Sequence, residues 1–293
     1  MRPKVPILKP VVWCVTAIGT IYFGLAAFEV RREIKNYTKY GFNSKPDSYD
    51  ALFAASYSRK HQQSHRQAVS VSPFDLWSNL SETQKVILAN IALNTGIYAA
   101  TSVSGPHTRW YFSHIPITGR NYTMLTSMFG HLSGMHLLFN MYCLYSFGPA
   151  LARTSTFQDS APHLAAFYLS AGILSSLAAQ IEARVPSRRF WRGSGASGAI
   201  MAFVGAFGMS FPHAQIGIIF VPGSVDAQLA LSLMAAFETY GLIFGIPYLR
   251  WGHSVHLAGL AIGAAYAHFD GNGKIWDATK RTAFNQMRRV GMV

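Results

Sequence analysis

Charged side chains are scarce in this sequence. Asp, Glu, Lys and Arg make up 13% of the 293 residues, whereas soluble domains carry roughly 25%. Hydrophobic residues account for 50% of the chain. This composition argues against a soluble globular domain and indicates an all-α polytopic membrane protein that lies in a lipid bilayer.

Acidic residues and cysteines are also few. The chain has 12 Asp and Glu against 25 Lys and Arg, for a formal net charge of +13. The basic residues lie in loops and tails without the interleaved aromatic side chains that bind nucleic acid, so we expect no nucleic-acid partner. Cys14 and Cys143 lie far apart in apolar segments, which argues against a disulfide framework and favours packing roles. The motifs H-E-x-x-H and G-x-G-D are absent, so we predict no metal site, no cofactor and no aspartyl-protease chemistry.

Long apolar stretches are abundant. Seven of them approach the roughly 20 residues that a transmembrane helix needs. The candidate spans cover residues 11–28, 84–101, 126–148, 163–183, 196–211, 226–245 and 253–269. We expect a one-plus-six arrangement, in which one N-terminal helix is separated from a six-helix body.

The polar segments divide the chain into four parts. Residues 1–28 would hold the lone N-terminal helix, and residues 29–74 would form a polar, partly disordered linker. Residues 75–270 would form the six-helix domain. Residues 271–293 form a basic tail, which lies either as an amphipathic helix on the membrane surface or free in solvent.

The order of the spans brings several polar residues to one membrane face. If the N-terminus lies on side A, the third, fifth and seventh spans all begin on that side. Ser197 begins the fifth span, His256 lies near the start of the seventh, and His136 and Asn140 lie near the start of the third. Polar groups at bilayer depth are costly unless they pair or face water, so we predict that these residues converge in one site.

Ser197 is flanked by glycines and lies at a predicted helix N-terminus. Gly195 and Gly198 leave its hydroxyl little side-chain cover, and the free backbone N–H groups of the helix end point towards any atom bonded to its oxygen. A nucleophile whose attack creates an oxyanion needs these features. The alternative is a serine that bonds a carbonyl of its own helix.

The seventh span carries the motif H-x-x-G-x-x-x-G, which places His256, Gly259 and Gly263 on one helical face. Such a face lets a neighbouring helix approach closely. The fifth span has a matching small-residue face, and Gly195 and Gly198 are predicted to serve this helix packing as well. If the two faces pack together, the imidazole of His256 lies against Ser197 and can serve as its general base. The alternative is a structural histidine that bonds a loop.

His136 and Asn140 are four residues apart and therefore share a face of the third span. Both side chains can donate hydrogen bonds to a developing oxyanion. A polar clamp between helices is the alternative for this pair. His131 lies off that face and is predicted to anchor a loop, and His253 is predicted to lie at the membrane interface.

No acidic residue is placed by the sequence to complete a catalytic triad. Asp270 follows His256 by about 20 Å along a helix, and Asp226 lies at the side-B end of the sixth span. Glu238 lies deeper in that span, where an acid is expected to be either functional or structural, and the sequence does not decide between these two roles. A dyad of Ser197 and His256 is the prediction that remains.

Three motifs on alternating spans together resemble the rhomboid family of intramembrane serine proteases. They are H-x-x-x-x-H-x-x-x-N at 131–140, G-A-S-G at 195–198 and H-x-x-G-x-x-x-G at 256–263. The stretches LSETQKVILANIALN and GASGAIM are similar to the mitochondrial branch of that family, and the resemblance covers about residues 75–277.

The resemblance implies a role for each site residue. Ser197 would be the nucleophile and His256 the general base, while His136, Asn140 and the Ser197 backbone N–H would form the oxyanion hole. It also implies that the protein cleaves single-pass membrane proteins in or near their transmembrane segment, as a multi-pass protein of the mitochondrial inner membrane. Met201 stands where many bacterial members have a tyrosine beside the histidine, so we expect helix packing alone to position His256.

Two other classes of function remain open from the sequence. A catalytically inactive rhomboid-like protein would bind client transmembrane helices without cutting them. A transporter would carry polar groups at its midplane, although no inverted repeat of interrupted helices is visible.

Overall fold

The computed structural model describes residues 5–39, 45–64, 76–217, 222–246 and 251–293, which are mostly α-helical. The helices are α1 (Leu8–Lys39), α2 (Tyr49–Ser64), α3 (Leu76–Asn79), α4 (Glu82–Val103), α5 (Pro106–Tyr111), α6 (Thr123–Thr126), α7 (Gly134–Ala152), α8 (Ala161–Glu182), α9 (Ser197–Ser210), α10 (Ala227–Phe244), α11 (His253–Phe269) and α12 (Lys274–Arg289). Short 3₁₀ turns cover Pro116–Thr118 and Ser127–Phe129. Strand β1 (Gln215–Ile216) pairs antiparallel with β2 (Val225–Asp226) before α10 begins.

In the part of the chain that the structure describes, four helices are long and apolar enough to cross a membrane. These candidate spans are Leu8–Tyr37, Glu82–Val103, Ala161–Glu182 and Ala227–Phe244. The other three predicted spans correspond to α7, α9 and α11, which have 19, 14 and 17 residues. At 1.5 Å per residue, α9 is about 21 Å long, which is less than the roughly 30 Å of a hydrocarbon core.

The third span begins later than the sequence predicted. We placed its start at residue 126, but α7 begins at Gly134, after the 3₁₀ turn and a short loop. Ser133 provides the physical reason, because its hydroxyl accepts a hydrogen bond from the backbone N–H of His136 and so caps the helix.

The stretch 29–74, predicted as a linker, contains helical structure. Helix α1 continues to Lys39, and α2 occupies Tyr49–Ser64. Residues 40–44 and 65–74 of the predicted linker lie outside the described residues. The N-terminal helix is therefore not isolated: it packs along α8 and contacts α2 and α12.

Helix α8 forms the centre of the fold. It packs against α1 on one side and against α9 and α11 on the other. Phe167 of α8 and Phe203 of α9 are both buried, and their rings stack with centroids 5.8 Å apart. This packing surrounds α9 with protein and places its N-terminal residue, Ser197, beside the N-terminal end of α11.

The basic C-terminal tail forms α12, which is docked on the protein. Trp276 is buried and donates a hydrogen bond from Nε1 to Oε2 of Glu29 on α1, at 2.9 Å. Lys280 is also buried and lies 3.4 Å from Glu33. Burial by itself lowers the pKa of Lys280, and the carboxylates of Glu29 and Glu33 raise it above its ordinary value. The tail is thus helical, as one alternative predicted, and the other alternative, a free and solvated tail, is wrong. That this helix lies on the membrane surface stays a prediction.

Candidate active site

Ser197 and His256 meet at the N-terminal ends of α9 and α11. The Oγ atom of Ser197 lies 2.8 Å from Nε2 of His256. Ser197 is the first residue of α9, so its own backbone N–H is among those of the helix end that have no partner within the helix. The arrangement lets the hydroxyl donate its hydrogen to the imidazole.

Glycines on both helices allow the close approach. A Cβ atom on Gly259 would overlap the carbonyl oxygen of Gly198, and one on Gly263 would overlap that of Ala202. Gly198 in turn leaves room for the side chains of Ser175 and Val255. The predicted contact between the small-residue faces of α9 and α11 is therefore present in the structure.

Gly195 has a different role from the helix packing that we predicted for it. It precedes α9 and has a φ of +140°, a conformation that side-chain-bearing residues rarely adopt. Its N–H donates to the carbonyl of Ser127 at 2.9 Å, and its Cα faces the ring of His136, which a Cβ atom would strike. Gly195 thus shapes the turn that leads into Ser197.

Glu238 corrects the prediction that no acid lies beside His256. Its Oε1 atom lies 2.9 Å from Nδ1 of His256, and its Oε2 atom lies 2.6 Å from Nδ1 of His253. All three side chains are buried. Because a carboxylate only accepts hydrogen bonds, each histidine donates from Nδ1, which leaves Nε2 of His256 as an acceptor for the Ser197 hydroxyl.

A comparison of depths along the helices could have identified Glu238 from the sequence. The sixth span ends on side A, where the seventh begins. Glu238 lies about two turns before the end of α10, and His256 lies about one turn after the start of α11. The two residues are therefore at similar depth. We placed Glu238 by its distance from the side-B end of the sixth span, so its similar depth to His256 was not noticed.

His136 and Asn140 line the same cavity as Ser197. The ring of His136 packs against Gly195, which precedes Ser197 by two residues. Asn140 is buried, and its Nδ2 donates to the carbonyl of His136 at 2.7 Å, which is a bond within α7. The described contacts of Asn140 therefore do not include a clamp to another helix.

The remaining histidines and Met201 have the following surroundings. His131 is buried, and its ring centroid lies 5.2 Å from that of His136. His253 is the first residue of α11 and is buried against Glu238 and Gly241. Its predicted position at the membrane interface stays a prediction. Met201 lines the cavity. The expectation that packing alone positions His256 is wrong, because Glu238 bonds its ring.

The cavity above Ser197 has a volume of about 570 Å³. Its walls combine polar atoms near Ser197 with apolar side chains, among them Phe139, Ile200 and Trp251. Cys143 also lines it, in addition to packing in α7. Within the described ranges, no cluster of three or more His, Cys, Asp or Glu is arranged to hold a metal ion.

Comparisons with known proteins match this site and its surroundings. The family model for the Rhomboid domain matches residues 118–272. The presenilin-associated rhomboid-like protein A, mitochondrial, of Danio rerio is 31% identical over 206 residues, which cover 69% of this chain and 52% of the relative. The presenilin-associated rhomboid-like protein, mitochondrial, of Homo sapiens is 31% identical over 204 residues, covering 68% and 52%.

A relative from yeast, matched over a shorter stretch, is also named as a mitochondrial rhomboid protein. Rhomboid protein 1, mitochondrial, of Saccharomyces cerevisiae is 30% identical over 172 residues, covering 57% of this chain and 45% of the relative. The chain spans about half the length of the animal relatives that it matches. The matched domain contains His136, Asn140, Ser197, Glu238 and His256, and this chain belongs to the rhomboid family.

Proposed function

We propose that the protein is an intramembrane serine protease that cleaves single-pass membrane proteins in or near their transmembrane segment. The observation that carries the proposal is the 2.8 Å contact between Ser197 Oγ and His256 Nε2 at the floor of a cavity. Membership of the rhomboid family supports the assignment to a rhomboid-type intramembrane function.

The chemistry follows from the direction of the hydrogen bonds. Nε2 of His256 takes the proton of the Ser197 hydroxyl as Oγ attacks the carbonyl carbon of the scissile peptide bond. The tetrahedral intermediate collapses when His256 returns that proton to the leaving amine. A water molecule, activated by the same imidazole, then hydrolyses the acyl-enzyme and restores Ser197.

The oxyanion of the intermediate lies at the N-terminus of α9. The backbone N–H of Ser197 is one donor, and the side chains of His136 and Asn140, which line the cavity, are the others. Since Asn140 Nδ2 has two hydrogens and uses one for the carbonyl of His136, its second hydrogen is available to the oxyanion.

Glu238 lies beside His256, opposite Ser197, so the three residues have the order of a catalytic triad. It holds His256 in the tautomer that has a hydrogen on Nδ1, and its charge stabilises the imidazolium that forms during attack. His253 donates a hydrogen bond to the second carboxylate oxygen, so each oxygen of Glu238 has a histidine partner. The carboxylate acts through His256 and does not touch the substrate.

The walls of the cavity suit a substrate that arrives from the bilayer. Leu132 and Phe139 line the cavity and are 59% and 61% exposed, respectively. Exposing an apolar side chain to lipid costs little free energy. A transmembrane substrate can therefore pack against these two residues without leaving the membrane. Polar groups at the floor then receive the peptide bond.

The location is proposed from the relatives. Both the animal and the yeast relatives are described as mitochondrial, and the candidate spans support a multi-pass membrane protein. We place this protein in the mitochondrial inner membrane, with the seven helices α1, α4, α7, α8, α9, α10 and α11 as its one-plus-six set of spans.

Cleavage of a reconstituted transmembrane substrate tests the proposal. Ser197→Ala and His256→Ala are each expected to abolish cleavage. Ser194→Ala is the matched control, because Ser194 lines the same cavity but donates its hydroxyl to the carbonyl of Phe112. It should retain activity. Cleavage by Ser197→Ala would contradict the mechanism, and substrate binding without cleavage by the unmodified protein would indicate an inactive rhomboid-like protein.

A further inference from the structure

Arg192 is the one permanently charged side chain among the described residues that line the active-site cavity. The others are apolar, neutral polar or histidine, and neither Asp nor Glu is among them. A cavity that contains a single positive charge and no negative one discriminates between substrates by charge.

The backbone beside Arg192 is held in place. Gly193 forms an antiparallel bridge with His114, in which each N–H donates to the other residue's carbonyl, at 2.8 and 2.9 Å. The guanidinium of Arg192 lies over the ring of Trp110, 5.8 Å from the ring centroid. The bridge and the ring together keep the positive charge at the mouth of the cavity.

The charge of Arg192 is not neutralised by the described part of the protein. Within those residues it forms no ion pair, and the side chain is exposed. Arg188, four residues earlier, is in a different position: it pairs with Glu182 at 2.7 Å and donates to the carbonyl of Leu242 at 2.6 Å. Arg188 therefore supports the structure of the loop, whereas Arg192 is available to a ligand.

We propose that Arg192 is a specificity determinant that selects substrates with an acidic side chain in the polar segment next to the scissile bond. The inference rests on the proposed protease function, because the anion must belong to the chain that reaches Ser197. Arg192 precedes Ser197 by five residues, and an extended chain spans at most about 3.6 Å per residue, so the acid lies within about five residues of the scissile bond.

The physical basis is electrostatic complementarity at the rim of a site. A carboxylate that approaches Arg192 forms a charge-assisted hydrogen bond and can take both N–H groups of the guanidinium fork. Because the pair is exposed to water, its effect on affinity is modest, and its contribution is mainly to the choice of substrate.

Paired substrates test the inference. A reconstituted transmembrane substrate carries either Asp or Asn, which have the same shape, at each of the five positions on either side of the scissile bond. The unmodified protein should cleave the Asp form about three- to fivefold faster in kcat/KM at one or more positions. Raising the salt concentration to about 0.5 M should reduce this preference.

Variants at Arg192 assign the preference to this side chain. Arg192→Gln should remove the preference for Asp, and Arg192→Glu should reverse it towards a substrate with Lys at the same position. Arg184→Gln is the matched control, because Arg184 is exposed in the same loop but does not line the cavity, and it should keep the preference. Labelling of Ser197 by a fluorophosphonate should proceed at an unchanged rate in all three variants.

The possible outcomes are distinguishable. Equal cleavage of the Asp and Asn forms by the unmodified protein, or a preference that survives Arg192→Gln, overturns the inference and leaves the protease function intact. The inference is also overturned if Arg192→Gln slows cleavage of the Asp and Asn substrates equally and only in vesicles that contain anionic lipid. Arg192 would then bind a lipid headgroup. Absence of both cleavage and Ser197 labelling in the unmodified protein overturns the protease function and the inference together.

Discussion

The Oε1 atom of Glu238 lies 2.9 Å from Nδ1 of His256, on the side of the imidazole opposite to Ser197. The carboxylate is buried between α10 and α11 and also accepts a hydrogen bond from His253. A buried acid in contact with two histidines stabilises a positive charge on either of them. His256 becomes positively charged when it takes the proton of the serine.

Replacing Glu238 by glutamine should therefore slow the chemical step. Glu238→Gln keeps the shape but removes the charge, and kcat should fall on the order of 10²- to 10⁴-fold, as when the acid of a serine-protease triad is made neutral. The measurement is single-turnover cleavage of a transmembrane substrate. Thr239→Val, on the neighbouring exposed position of α10, should leave kcat unchanged, and an equal rate in Glu238→Gln would show that the acid is only structural.

Asn140→Ala tests the oxyanion assignment. Removal of one donor to the oxyanion should reduce kcat on the order of 10²-fold, because the lost hydrogen bond is stronger in the transition state than in the substrate complex. Asn94→Ala is the control, since Asn94 makes the same kind of bond within its own helix, to the carbonyl of Asn90, but lies away from the cavity. A rate for Asn140→Ala equal to that for Asn94→Ala would assign Asn140 a structural role.

Gly263→Ala tests the packing that brings Ser197 and His256 together. The added Cβ overlaps the carbonyl oxygen of Ala202, so α9 and α11 must separate, and the free energy of unfolding should fall by about 1–3 kcal/mol. Gly96→Ala, which has no atom within 4 Å of the new Cβ, should instead stabilise α4 by up to about 1 kcal/mol. Thermal unfolding in detergent measures both. A neutral effect of Gly263→Ala would contradict the close packing.

His114 gives the fold a predicted dependence on pH. Burial lowers the pKa of His114 from its ordinary value of 6.5 to about 4, so the folded protein disfavours its protonation. The contribution of neutral His114 to the free energy of unfolding is therefore complete above about pH 6.5. It is lost as the pH falls towards 4, at up to about 1.4 kcal/mol per pH unit. His114→Gln should make the unfolding temperature less sensitive to pH across this range. The same sensitivity in His114→Gln and in the exposed-site control His107→Gln would assign the effect to other groups.

Spacing and span order were enough to predict the contact between Ser197 and His256. The alternation of spans placed both residues on side A, and the glycines at 198, 259 and 263 indicated which faces pack. These signals depend on local patterns and on the direction of each helix, which a sequence contains directly. Span boundaries were less accurate, because the cap at Ser133 moved the start of α7.

Contacts between distant segments could not be predicted in the same way. The bond from Trp276 to Glu29 joins the two ends of the chain, and no periodic pattern relates them. The role of Gly195 depended on a positive φ in the turn before α9, which the letters G-A-S-G do not distinguish from helix packing. Glu238 was recognised as an intramembrane acid, but its contact with His256 was missed because the partner is on the next helix and the depths of the two residues had to be compared.

The most direct test of the central claim is whether Ser197 is an activated nucleophile. The protein in detergent is treated with a fluorophosphonate, and the modified residue is identified by mass spectrometry of the peptides. We predict an adduct on Ser197 that is lost in His256→Ala, with Ser194 unmodified. Cleavage of a transmembrane substrate without any adduct on Ser197, or an adduct that does not depend on His256, would contradict it.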